Sequence, residues 1–350
     1  MTSHSGEGIH GEGSIIGIGL AKRFFQVHAA AKDGRPVLRK KVSRARLLGF
    51  LAQQPPTVVA MEACATAHDW GRAISGLGHD VRLIPPIYVK PFVRRQKNDA
   101  ADAEAIAEAA SRPTMRFVAL KTEEQQARSM IFRTRDLLVR QRTQLVNALR
   151  GHLAEHGIVA AHGLAKVKAL ATAMRDTGSL HPLVCELGQR YLDHIARLDV
   201  EIAELDTRLR RSSKDDETAK RLQTMPGMRP ITAAAIEAFA PPIATFKRGL
   251  DFAAWLGFVP RQHTTGRKPR LGRTSKMGQR DIRRLLIIGA MTVVRWVVRK
   301  GAAKGSWLAR RLAEKPRLVV AIALANKMAR SVWAMLSKGE DYRGSALAPA

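Results

Sequence analysis

The chain has 350 residues, enough for two domains with separate hydrophobic cores, and an ordinary 45% of hydrophobic residues. Its 59 Lys and Arg outnumber its 30 Asp and Glu and give a formal net charge of +29. No apolar run approaches the ~20 residues of a membrane span, and the only two cysteines, Cys64 and Cys185, exclude a disulfide framework and a zinc finger. Because a field of this sign attracts polyanions, the composition predicts salt-sensitive nucleic-acid binding in a reducing cytoplasm.

Short β-type segments dominate the first third of the chain. Residues 1–13 lack the charged and apolar parts of a signal peptide and predict a disordered lead. The pattern then predicts strands at 14–18, 24–29 and 37–42, a helix at 43–53, a strand at 57–61, a helix at 67–77 and a strand at 81–84. Three strands followed by alternating helix and strand predict a mixed-sheet α/β domain over residues 14–121.

Helical patterns fill the rest of the chain. Residues 122–215 predict long charged helices with a break at 176–182, and residues 216–337 predict a basic, mostly α-helical domain before a flexible tail at 338–350. Apolar residues recur at gaps of three and four at Leu187, Tyr191, Ile195, Leu198, Ile202, Leu205 and Leu209. This stripe predicts packing against another helix, either as a coiled coil between chains or as a helical hairpin within one chain.

Three acidic residues are candidate ligands of a divalent metal ion. Glu62 directly follows the predicted strand 57–61, and metals and ligands of α/β proteins collect where strands end. Asp99 and Asp102 lie three residues apart at a predicted helix start, so both face one side. Their hard oxygens suit Mg²⁺ or Mn²⁺. A structural role is the alternative, because acidic residues in a first turn also stabilise the helix dipole.

Four segments together resemble one known family. They are GIGLAKRFFQVHAA, VAMEACATAHDWGRAI, GHDVRLIPPIYVKPFVRRQKNDAADAEAIAEAASRP and WLGFVPRQHTTGRKPRLGRTSKMGQRDIRRLLIIGA. In order and spacing they are similar to the DEDD-type insertion-sequence transposases, the family numbered one hundred and ten with its "eleven-eleven" branch, of the RNA-guided recombinase type. The resemblance covers about residues 14–337. It implies a ribonuclease-H-like first domain similar to Holliday-junction resolvases, a helical segment and an α-helical transposase domain.

The resemblance also implies a metal site. The family has an Asp-Glu-Asp-Asp set, and Glu62, Asp99 and Asp102 match its second, third and fourth members. The first member falls in the segment GIGLAK at 17–22, where Gly19 occupies the position of the aspartate. A complete set would hold paired Mg²⁺ or Mn²⁺ ions about 4 Å apart for phosphodiester cleavage. Because glycine has no side-chain ligand, we expect metal binding to be weakened here.

Basic residues of the C-terminal domain are candidate contacts to nucleic acid. The segment MPGMRPITAAAI resembles a helix-hairpin-helix element, whose turn offers backbone amides to phosphate. Between 261 and 284, nine basic residues accompany one acid and three glycines, which let backbone approach a ligand closely. The candidates are Arg229, Arg261, Arg267, Lys268, Arg270, Arg273, Lys276, Arg280, Arg283 and Arg284. A plain helical corner and a solvated surface are the respective alternatives.

Hydroxyl groups in the same segment are candidate nucleophiles. In the resembled family a serine just before a glycine attacks DNA and forms a covalent link. This chain has Thr264 and Thr265 before Gly266, and Ser275 is the nearest serine. Thr265 matches best by position, although its β-branch crowds the oxygen. Such an attack needs a base, a metal or a positive field to activate the hydroxyl.

The sequence leaves three functions open. A transposase or recombinase is the leading one. The resemblance implies that it acts on donor and target DNA with a guide-like noncoding RNA, and that it assembles as a homo-oligomer, either a dimer or a tetramer. We expect it to lie at the bacterial nucleoid and to have no membrane partner. An inactivated copy that only binds nucleic acid is favoured by Gly19 and the Thr pair. A metal-dependent junction resolvase or nuclease would leave hydrolytic nicks and no covalent adduct.

Overall fold

The computed structural model describes residues 14–93, 98–161, 163, 166–266, 268, 270–303 and 305–343. The chain divides into two compact units, Met1–Gln126 and Ala127–Ala350. The predicted lead at 1–13 and the end of the predicted tail, 344–350, lie outside the described residues. The finer division into domains at 121, 215 and 337 stays a prediction.

The first unit is built on one five-stranded mixed sheet. Its strands are β1 (Ile15–Gly19), β2 (Phe24–Ala30), β3 (Pro36–Ser43), β4 (Val58–Glu62) and β5 (Asp80–Ile84), and its helices are α1 (Leu47–Ala52), α2 (Ala67–Ser75), α3 (Pro86–Val89) and α4 (Asp99–Ser111). The spatial order is β3-β2-β1-β4-β5. β1, β2 and β3 pair antiparallel, whereas β1, β4 and β5 pair parallel. The predicted mixed α/β sheet is confirmed.

Helix α4 packs closely on one face of this sheet. The helix is rich in buried alanines, whose small side chains let the helix backbone lie close to the sheet. Gly17 completes the fit, because a Cβ atom at this position would lie 2.2 Å from the carbonyl oxygen of Ala103. The opposite face carries a core that includes Phe25, Leu47 and Trp70. Coverage on both faces explains why β1 and β4 are continuous apolar runs.

The second unit is mostly helical. Its helices are α5 (Glu123–Ala154, which begins in the first unit), α6 (Val167–Asp176), α7 (Pro182–Asp215), α8 (Glu217–Gln223), α9 (Pro230–Phe239), α10 (Gly249–Trp255), α11 (Arg280–Lys300), α12 (Trp307–Glu314) and α13 (Arg317–Lys338). Two short antiparallel strands, β6 (Pro260–Gln262) and β7 (Leu271–Thr274), form a hairpin that the sequence did not predict. The mostly helical character of this region is confirmed.

The apolar stripe of α7 packs within the chain. Ile195 joins α5 residues in one core, and Leu209 joins another. Ion pairs from Arg135 to Asp206 and from Arg142 to Asp199 tie the same two helices together. The structure therefore shows the helical-hairpin alternative, and a coiled coil between chains stays a prediction.

One described helix, α13, is long and apolar enough by length and composition to cross a membrane. Its residues Leu324, Met328 and Val332 are fully buried in the core of the second unit. It also makes its main contacts with α10 and α11. The helix is accounted for as the central core helix of this unit.

Candidate acidic site and candidate nucleic-acid contacts

The sheet register brings Gly19 beside Glu62. β1 and β4 are parallel and Ile18 pairs with Met61, so the next residues of the two strands lie side by side at the same sheet edge. A Cβ atom added at Gly19 would point at the start of α4, 3.4 Å from the carbonyl oxygen of Asp99. Three of the sequence-predicted positions therefore meet at the carboxyl ends of β1 and β4.

The start of α4 has a cap other than the two candidate aspartates. Asn98 has extended backbone, and its Oδ1 accepts a hydrogen bond from the backbone N–H of Ala100 at 3.0 Å. The backbone N–H of Asp102 donates to the carbonyl oxygen of Asn98 at 3.0 Å. Since Asn98 satisfies the cap, Asp99 and Asp102 gain only the dipole interaction from the helix. Asn98 is therefore the cap, and stabilisation of the helix dipole stays the structural alternative for both aspartates.

The surroundings of Glu62 disfavour its charged form. Burial raises the pKa of Glu62 above its usual value, and the nearby charge of Asp102 raises it further. Burial also raises the pKa of the Cys64 thiol, with a smaller contribution from Glu62. Two residues further on, Thr66 has a φ of 74°, a left-handed conformation that is rare for a β-branched residue. The strand end thus leads into a strained loop beside a carboxylate pair.

The described residues do not form a complete metal site. Within these parts of the chain, no group of three or more His, Cys, Asp or Glu side chains is placed to hold a metal ion. Asp102 is near enough for its charge to act on Glu62, Asp99 lies in the same helical turn as Asp102, and Gly19 supplies no side-chain oxygen ligand. The donor chemistry suits a hard cation, but the set is short of the ligands that such a cation needs.

The predicted helix-hairpin-helix element consists of α8, a tight turn and α9. Gly227 in the turn has a φ of 85° and touches α11, since a Cβ at Gly289 would lie 2.1 Å from the Gly227 carbonyl oxygen. Arg229 is exposed at the N-cap of α9 with extended backbone. Arginine is therefore accommodated without strain, and its phosphate contact stays a prediction.

In the basic segment 261–284, some side chains are exposed and others are hydrogen-bonded to the rest of the fold. The exposed candidates are Arg261, Lys268, Arg270, Arg273, Lys276 and Arg280, whereas Arg267 lies outside the described residues. Arg283 donates from Nη1 to the carbonyl oxygen of Leu256 at 2.8 Å. Arg284 donates from Nη1 to Asp136 at 2.7 Å. The last two arginines therefore have structural partners, which the sequence analysis missed.

The candidate nucleophiles lie at opposite ends of the hairpin. Thr264 and Thr265 are exposed at its tip, where Thr265 forms a bridge with Lys268. Ser275 lies at the base, and its hydroxyl donates to the carbonyl oxygen of Gly257 at 3.3 Å. The hydroxyl candidates belong to the second unit, and the acidic candidates belong to the first.

A second carboxylate pair was not singled out from the sequence. Glu237 of α9 lies near Asp216, the N-cap of α8, and Arg128 of α5 donates to Glu237 Oε2 at 3.3 Å. Burial first, and then the hydrogen bond and charge of Asp216, raise the pKa of Glu237 to about 8. Burial works to raise the pKa of Asp216 too, but hydrogen bonds from Glu237 and from two backbone amides lower it overall.

Comparisons with known proteins match both units. A model described as a transposase, of the DEDD and IS110 type, matches residues 16–158, and one described as "Transposase IS116/IS110/IS902 family" matches residues 219–305. A "Probable family 20 transposase" of Pseudomonas aeruginosa is 46% identical over 94% of this chain and 98% of its own length. The chain belongs to this IS110-type transposase family. The transposases for IS1328 of Yersinia enterocolitica and IS1111A of Coxiella burnetii are 42% and 37% identical, over 94% of this chain and 98% and 91% of their own lengths.

Family membership confirms the family predicted from the four sequence segments. It supports a DNA-binding, DNA-recombining transposase of an IS110-family insertion sequence. The DEDD type of the first-unit match suggests dependence on a divalent metal ion.

Proposed function

We propose that this IS110-family transposase cuts and rejoins DNA strands with Glu62, Asp99 and Asp102 at its cutting site. The observation that carries the proposal is the convergence of Gly19, Glu62 and the first turn of α4 at one sheet edge. The strand order β3-β2-β1-β4-β5, with β2 antiparallel to both neighbours, supports a ribonuclease-H-like fold for this unit.

The metal that suits these oxygen ligands is Mg²⁺ or Mn²⁺. Such an ion supplies Lewis-acid stabilisation of phosphate charge when it is bound. Glu62, Asp99 and Asp102 are the residues that would hold it, and the missing ligand at Gly19 leaves the set incomplete. A copy with much reduced activity, which mainly holds nucleic acid, is therefore the second candidate function.

Thr265 is the proposed nucleophile, with Thr264 and Ser275 as the alternatives. In the proposed step its hydroxyl oxygen loses its proton and bonds to phosphorus, the bond from phosphorus to one sugar oxygen breaks, and that departing oxygen takes up a proton, so no net proton is gained or lost. Exposure at a basic hairpin tip supports Thr265 and Thr264, because Lys268 and Arg270 lie nearby in the chain to stabilise phosphate charge. The hydrogen bond of Ser275 to Gly257 supports a structural role instead.

The family resemblance extends the proposal to partners. The proposed partners are a noncoding guide RNA, donor and target DNA and further copies of this chain, as a dimer or tetramer at the nucleoid in the bacterial cytoplasm. The net charge of +29 supports the nucleic-acid partners. Charge alone does not separate RNA from DNA, because both backbones attract basic residues. Removal of the RNA from a reconstituted reaction tests this part directly.

Substitution at position 19 tests the cutting site. We expect Gly19→Asp to raise Mg²⁺-dependent strand cleavage at least about tenfold, because it restores a carboxylate where a Cβ meets only ordinary contacts. Gly19→Ala is the matched control, since it fills the same space without a ligand. Glu62→Gln in the Gly19→Asp background should abolish the gain. Equal cleavage by all these variants would place the cutting site elsewhere.

The same reactions report the nucleophile. Denaturing gels of labelled DNA should show a covalent protein–DNA adduct that Thr265→Ala removes and that Thr264→Ala and Ser275→Ala retain. Nicked DNA without any adduct would replace the proposal with a metal-dependent resolvase or nuclease. An adduct lost only in Ser275→Ala would transfer the role to that serine.

A further inference from the structure

A single row of paired residues crosses the sheet of the first unit and ends at the acidic site. Lys41 of β3 pairs with Gln26 of β2, and Gln26 pairs with Gly19 of β1. Gly19 in turn lies beside Glu62 of β4. Three strand spacings separate Lys41 from Glu62, a distance of about 14 Å. The start of α4 covers the row at Gly19, so its open part is the outer end at β2 and β3.

The members of the row share one face of the sheet. Paired residues of neighbouring strands point to the same side, and the Cβ direction at Gly19 fixes that side as the face of α4. Phe24, two residues before Gln26, lies on the same face, and the ammonium group of Lys41 sits 4.6 Å from the centre of its ring. Phe25 and its alternate neighbours are buried in the core on the opposite face.

The outer end of this row is open to solvent and basic. Phe24 is 48% exposed, an unusual state for a large aromatic side chain, and Lys22, Arg23 and Lys41 are exposed around it. Between residues 22 and 46 there are nine basic residues and one acid, Asp33. Charge alone does not distinguish this segment from 261–284, but here an exposed aromatic ring lies among the cations.

We propose that Phe24 and Lys41 form a platform that guides a single DNA strand to the acidic site. Exposed aromatic rings bind unpaired bases by stacking, and neighbouring cations hold the phosphates between those bases. A paired duplex offers no free base face to Phe24, which is why the occupant is a single strand. The choice of DNA rests on the proposed function, because the strand would be the one cut beside Glu62. Phe24 and Lys41 are positioning residues in this arrangement.

Binding of a labelled single-stranded DNA oligonucleotide to the full chain, in EDTA, tests the platform without any catalysis. Phe24→Leu retains apolar bulk and removes the ring, and we expect it to weaken binding about fivefold or more. Lys41→Gln should weaken binding and reduce the slope of log affinity against log salt by about 0.7. Lys40→Gln is the matched control: it removes the same charge from the next residue, which lies on the opposite face over the ring of Phe50.

The outcomes separate this proposal from the proposed function. Weaker binding by Phe24→Leu and Lys41→Gln, with Lys40→Gln near wild type, supports the platform whether or not the chain cleaves DNA. Equal losses for Lys40→Gln and Lys41→Gln would reduce the effect to general charge and overturn it. If these two substitutions weaken binding of a single-stranded RNA of the same sequence but leave DNA binding unchanged, the choice of DNA is overturned. Thermal unfolding of each variant verifies that the fold is retained.

Discussion

The two carboxylate pairs of this transposase have the same electrostatic signature and different surroundings. In each, burial is the main cause that raises the pKa of a glutamate, and a neighbouring aspartate adds to it. Glu237 also has the guanidinium of Arg128 against one oxygen. For Glu62, no described cation contributes to the shift.

The difference separates a structural pair from a candidate site. Perturbed pKa values mark functional sites, but structural ion networks produce them too. Glu237, Asp216 and Arg128 join α9, α8 and α5, so the cation is supplied by the fold itself. At Glu62 the repulsion with Asp102 remains, and a bound cation would relieve it. A raised glutamate pKa therefore indicates a candidate site only where, as at Glu62, no cation in the described part of the fold lies beside the carboxylate.

Removal of Arg128 should have the largest effect on stability. Arg128→Gln leaves two partly buried carboxyl groups without their cation, and we expect a loss of about 2–4 kcal/mol in the free energy of unfolding at pH 9. Chemical denaturation measures it. Arg190→Gln, at an exposed pair with Glu186, is the control and should cost less than about 1 kcal/mol. Similar losses in both variants would make the Glu237 cluster an ordinary surface network.

The pH dependence of stability should report the proton on Glu237. Its pKa rises from 4.5 to about 8 in the folded chain, so the folded state binds the extra proton between these values. That stability is fully present below pH ~4.5 and is lost as the pH rises through 8. Relative to Glu237→Gln, wild type should lose on the order of 2–3 kcal/mol between pH 5 and pH 9. Asp216, with a lowered pKa, titrates below this window. Parallel curves for the two proteins would contradict the assignment.

Glu62→Gln should have the smallest effect on stability and the opposite sign. Neutralising Glu62 removes its repulsion with Asp102, so we expect the free energy of unfolding to rise by up to about 1 kcal/mol at pH 8. Asp80→Asn, an exposed acid of the neighbouring strand β5, serves as the control for loss of one negative charge. A clear destabilisation by Glu62→Gln would show that Glu62 has a structural cation, as Glu237 has.

Much of the first unit follows from local sequence pattern. All five of its strands begin and end within one residue of the predicted positions, because short apolar runs bounded by turn residues are strong local signals. The β6–β7 hairpin was missed, since Pro260–Gln262 and Leu271–Thr274 lack alternating apolar residues and are exposed. Local pattern also led to Glu62, at a predicted strand end, and to Asp99 and Asp102, at a predicted helix start, and the family resemblance then assigned them to one metal set.

The missed contacts share one physical cause. Arg284 reaches Asp136, and Arg128 reaches Glu237, across long separations in the chain. Likewise, Phe24 and Lys41 become a platform only through the strand register. A single sequence gives the number of charges, but the partner of each charge depends on tertiary packing. For this reason the sequence indicated nucleic-acid binding correctly without showing which arginines form ion pairs inside the fold.

The room at Gly19 has an evolutionary consequence. Gly17, on the same strand, is fixed by its contact with α4, whereas position 19 accepts a Cβ atom with its nearest neighbour at 3.4 Å. The sheet and helix therefore hold the shape of the site without help from the side chain at this position. Codons for glycine and aspartate can differ by one base. From such a glycine codon, one base change would place an aspartate at position 19 without disturbing the sheet or the helix.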